Sequence, residues 1–108
     1  MISSALATLI LLATPNATAQ ARESYARCLK DLVRTSAEQK VDATAFESTL
    51  AASCKDKEAA FKSARIASDI ALGLKRASAE KAMADELADY RSMAKEEHLE
   101  ALKAAAPQ

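Results

Sequence analysis

A chain of 108 residues, half of them hydrophobic, with a mean hydropathy just below zero, has the make-up of one small amphipathic domain rather than a membrane protein. Its 15 basic and 15 acidic side chains are interleaved, so they build no basic face for nucleic acid or for anionic lipid, and neither is an expected partner. Alanine is the commonest residue and there is one glycine, which favours helices but leaves only a thin core of larger side chains.

Nothing charged precedes Arg22. A leucine-rich apolar run from Ala5 to Ala13 is followed by Pro15 and by Ala17-Thr18-Ala19, the h-region and A-x-A pattern of a cleaved signal peptide. Even with its flanks the run spans only about 20 Å as a helix, short of the ~30 Å bilayer core, so no stable membrane anchor is expected once it is removed. Residues 1–19 are therefore read as the leader and 20–108 as a single helical domain; cleavage after Ala21 is the second choice.

Helical periodicity begins at Arg22, where Tyr25, Cys28, Leu29, Leu32, Val33 and Ser36 recur at steps of three and four. It fades at Glu38 to Lys40. Asp42 then has the position of an N-cap, and Val41 with Phe46 has the spacing of a hydrophobic staple. Helices over 22–38 and from 43 onward, joined by so short a turn, should lie antiparallel. In that arrangement the indices of facing residues share one sum. Cys28 and Cys54 set it at 82, which also pairs Leu32 with Leu50 and Ser36 with Phe46. The two cysteines are thus expected to form a disulfide, as an exported chain permits. A redox pair would more often be close in sequence, as C-x-x-C.

The second helix is expected to be long, running from 43 to 76, because no proline interrupts it. Met83, Leu87, Tyr90 and Ala94 form a separate series, and Ser78 followed by Glu80 suits a helix start, so a third helix is placed over 79–103. The competing reading is one uninterrupted helix from Ala43 whose apolar face a second copy covers. The fold class on either reading is all-α, a disulfide-stapled antiparallel helical hairpin with a long second helix and, on the preferred reading, a third.

No constellation for catalysis stands out. His98, the only histidine, has no second metal ligand at helical spacing and reads as a solvated residue. The acidic clusters Asp85, Glu86, Asp89 and Glu96, Glu97, Glu100 read as solvent faces paired at helical spacing with Arg91, Lys95 and Lys103. Haem attachment would need C-x-x-C-H, which is absent, and axial ligation by Met83 or Met93 with His98 is a remote reading. No nucleophile has a base beside it and no glycine-rich phosphate loop is present, so no catalytic, cofactor-binding or metal residue is assigned and an enzyme is not expected.

Tyr25-Ala26-Arg27-Cys28-Leu29, Ala52-Ser53-Cys54-Lys55 and Ala88-Asp89-Tyr90-Arg91 resemble a group of short, alanine-rich exported proteins of alphaproteobacteria. That resemblance implies an exported helical protein and carries no catalytic residue across. The expectation is a non-catalytic periplasmic or secreted module of the cell envelope that meets a protein partner or itself. A carrier of a small apolar ligand or haem is the alternative.

Overall fold

The computed structural model describes residues 15–106. The apolar run of the expected leader lies outside the described residues. Four helices follow in order: α1 Pro15–Glu38, α2 Ala43–Ser53, α3 Lys55–Ala71 and α4 Arg76–Ala105. The fold is all-α, with no strand among the described residues.

α1 starts earlier than the expected residue 22. Pro15 occupies the first helical position, where a missing N–H costs nothing. Residues 15–19, read as leader from sequence, form the first turn of this helix, and Thr18 is buried with its hydroxyl donating to the Ala64 carbonyl at 3.3 Å. Below it Tyr25, Leu29, Val33, Ser36 and Ala37 are buried along one stripe. The helix closes on a Schellman motif: the Lys40 amide donates to the Ala37 carbonyl at 3.0 Å and the Val41 amide to Ser36 at 2.9 Å. Lys40 takes the left-handed conformation (φ 56°) that this motif requires, a position glycine usually fills.

Asp42 caps α2 as its sequence suggests, accepting from the Ala45 amide at 2.8 Å. The single long helix expected over 43–76 is instead two helices. Cys54, with φ −107° and ψ 19°, interrupts the α-helical course between them, and the ladder resumes when the Glu58 amide reaches the Cys54 carbonyl at 2.9 Å. Periodicity could not expose this break, since no proline or glycine marks it. The residue that leaves the helix is the one tied to α1.

α3 ends five residues before the expected boundary at Arg76, because Gly73 at φ 103° supplies a second Schellman motif, with Gly73 donating to Ile70 and Leu74 to Asp69, both at 3.0 Å. α3 and α4 are therefore separate, and the uninterrupted-helix reading is overturned. α4 starts at Arg76 with Lys75 in the extended N-cap conformation; Ser78, expected to open the helix, lies inside its first turn.

Cys28 and Cys54 are joined in a disulfide with Cα atoms 6.0 Å apart. The shared index sum that the cysteines set holds again at Thr18 and Ala64, so α1 and α3 run antiparallel in one register over that whole length. α3 and α4 are antiparallel too, with Glu58 beside Arg91 and Arg65 beside Glu86, which leaves α1 and α4 parallel. Tyr25, Phe61 and Tyr90 meet at the centre of these three helices. Met83 and Leu87 from α4 and Leu50 and Phe46 from α2 extend the core in the two directions.

Candidate functional site

The most densely connected part of the molecule is where α1, α3 and α4 meet. The Tyr25 ring is fully buried, with its centroid 6.0 Å from that of Phe61 and 5.5 Å from that of Tyr90, and Phe61 and Tyr90 stand edge-on at 5.9 Å. Arg22 lies 5.4 Å over the Phe61 ring as a cation–π partner. The Tyr25 hydroxyl donates to Glu58 Oε2 at 3.0 Å, and Arg91 grips the same carboxylate in a fork, with Nε to Oε2 at 3.2 Å and Nη2 to Oε1. Burial, then the neighbouring Glu58 carboxylate, pushes the Tyr25 hydroxyl well above the ordinary tyrosine range. The hydrogen bond to Glu58 likewise holds the Arg91 guanidinium up. A phenol held protonated against a carboxylate that is already committed to arginine is neither base nor nucleophile. The node ties three helices together through one α3 carboxylate.

Sequence reasoning assigned Arg91 and Lys95 to partners on their own helix. Both reach across instead, Arg91 to Glu58 of α3 and Lys95 to Glu47 of α2 at 2.8 Å. Lys103 pairs within α4, with Glu100 at 3.4 Å, in the expected manner. Arg65 bridges Asp69 on its own helix at 3.3 Å and Glu86 of α4 at 2.9 Å. The pairing partners were hidden because helical spacing shows only what shares an element.

His98 departs furthest from its expected place. It is not solvated: the residue is 1% exposed, and its ring stacks on Phe46 at 4.1 Å between centroids with the planes 6° apart. Neither ring nitrogen has a hydrogen-bond partner among the described residues. The signal was available, since Ala79, Met83, Leu87, Ala94 and His98 are the buried positions of α4 and His98 lies one further step of four along that stripe.

The methionines do not converge with it. Met93 is exposed on another side of α4, and Met83 is buried about 22 Å away along the same helix. Among the described residues no group of three or more histidine, cysteine, aspartate or glutamate side chains could hold a metal ion. Nor is any described helix long and apolar enough to cross a membrane. A cleft of about 480 Å³ runs along α3 and is lined by Lys62, Ser63, Ile66, Ala67, Ile70 and, from α4, Arg76. Large apolar side chains stand in solvent at Leu72, which is 77% exposed, and at Leu74, Met93 and Leu99.

No protein-family model, curated protein or solved structure matches the chain.

Proposed function

We propose that this protein is a non-catalytic exported module, working in the periplasm or outside the cell, that presents a helix face to a protein partner or to a second copy. The observation that carries the export is the Cys28–Cys54 disulfide, which persists in an oxidising compartment and is rare in a reducing one. The apolar, proline-bounded segment before α1 points the same way. The presenting role rests on the exposed apolar residues Leu72, Leu74, Met93 and Leu99, set against a core whose polar contacts are spent on joining helices. No resident cofactor is invoked.

The test is cross-linking in the native cell envelope from photoreactive residues placed at Leu72 and Met93, combined with the native mass of the purified protein. A specific adduct that competes with unlabelled protein, or a dimer mass, is expected. A strictly monomeric protein that captures nothing at either position would contradict the reading.

A further inference from the structure

The parallel helices α1 and α4 enclose a shallow groove with an apolar floor of Leu29, Tyr90 and Ala94. Ala26 of α1 and Met93 of α4 form its shoulders, and Met93 stands in solvent at 56% exposure. Lys30 lies on the α1 rim and Glu97 on the α4 rim, both exposed. Neither has an ion-pair partner among the described residues. Their neighbours are already engaged within the chain: Arg27 with Glu23, Arg34 with Asp31, Arg91 with Glu58 and Lys95 with Glu47. The groove therefore offers one basic and one acidic rim, each with its charge unspent.

We propose that a second copy of the chain docks on this groove, in a two-fold dimer whose axis lies in the contact plane parallel to α1 and α4. The two charges select that axis. Copies laid groove to groove are related either by an axis across the helices or by one along them. An axis across them sets α1 on α1 and brings Lys30 close to Lys30 of the other copy, which like-charge repulsion opposes. An axis along them sets α1 on α4 of the other copy at unchanged height. Tyr25 lies against Tyr90, so Lys30 is level with the residue after Ala94, and Glu97 of the other copy stands only about 3 Å further along. Symmetry makes this pair twice. The same rotation lays Met93 over Ala26 of the other copy, a small side chain that leaves it room, and takes its exposed thioether arm out of water. The groove runs only about 10 Å along α4, so the dimer is a weak one that loosens with salt. This inference deepens the presenting role proposed above and rests on it.

Sedimentation of the purified oxidised chain, from micromolar concentration to about 1 mM, is expected to show a monomer–dimer equilibrium. Lys30→Glu or Glu97→Lys alone places like charges at both pairs and should weaken association roughly tenfold. Mixing the two variants should restore it, because every contact across the axis then joins opposite charges. Inside either variant the two rims carry like charges, so pairing within a copy cannot produce that rescue. Met93→Asp should weaken the dimer and find no rescue in the mixture, while Lys75→Glu, away from the groove, changes nothing. All four positions are exposed, so the thermal midpoint is expected to stay where it is. A chain monomeric up to about 1 mM, a dimer indifferent to the reversals, or one that mixing fails to restore would overturn the proposal. A monomer whose Met93 position cross-links to a different protein ends the dimer but keeps the presenting role; a monomer that captures nothing at Leu72 or Met93 ends both.

Discussion

Two buried side chains with polar atoms behave in opposite ways, and each makes a separate claim. Tyr25 has its partner in Glu58, so Tyr25→Phe keeps the ring contacts with Phe61 and Tyr90 and loses one hydrogen bond to a charged group, an expected cost of about 1.5–3 kcal/mol in urea unfolding at neutral pH. The raised Tyr25 ionisation adds a pH signature. Above about pH 10 the unfolded chain releases the phenolic proton while the folded chain retains it, so stability is fully present below that pH and falls as pH rises further. The fall should be smaller in Tyr25→Phe, and equal alkaline slopes in the two proteins would contradict the assignment. His98 has no partner for either nitrogen among the described residues, so replacing it by an apolar side chain of similar size removes an unsatisfied group. His98→Leu is expected to leave the thermal midpoint unchanged or raise it. A loss of more than about 2 kcal/mol would mean that the imidazole nitrogens are bonded after all.

At the scale of elements, α1 and α3 end on the same motif with different residues in the left-handed position, Lys40 in one and Gly73 in the other. Lys40→Gly should therefore stabilise the domain by about 0.5–1 kcal/mol in denaturant unfolding. Gly73→Ala should destabilise it by a similar amount or more: a Cβ there meets nothing within 4 Å, so the cost is that of the backbone conformation alone. The N-cap Asp42 and the staple Val41 with Phe46 were legible because capping chemistry is local. The end of α3 was only half legible. Gly73 is the chain's one glycine and its positive φ ends the helix, whereas the basic pair Lys75 and Arg76, which also suits a helix end, lies beyond it. The interruption at Cys54 had no local marker. That residue is the one held to another helix, so the cause of the break lies in tertiary structure, beyond any window of sequence.

Across the whole molecule, the all-α class and the Cys28–Cys54 tie could be read from the sequence, and the index sum those cysteines set recurs between α1 and α3 at Thr18 and Ala64. The buried face of His98 and the interhelical roles of Glu58, Arg65, Arg91 and Lys95 could not, because each depends on which helices become neighbours. What those contacts share is that they lock helices to one another. The disulfide is the covalent part of that lock, a structural tie between α1 and the α2–α3 junction. The most direct measurement is urea unfolding of the oxidised chain beside the same chain reduced and alkylated. Closing a loop of this length by a disulfide should add about 3.5 kcal/mol on the chain-entropy argument, with the bond resisting mild reductant until the fold opens. Rapid reduction in native buffer with the unfolding midpoint unchanged would contradict it, and would place the cysteines among the reactive groups of the protein.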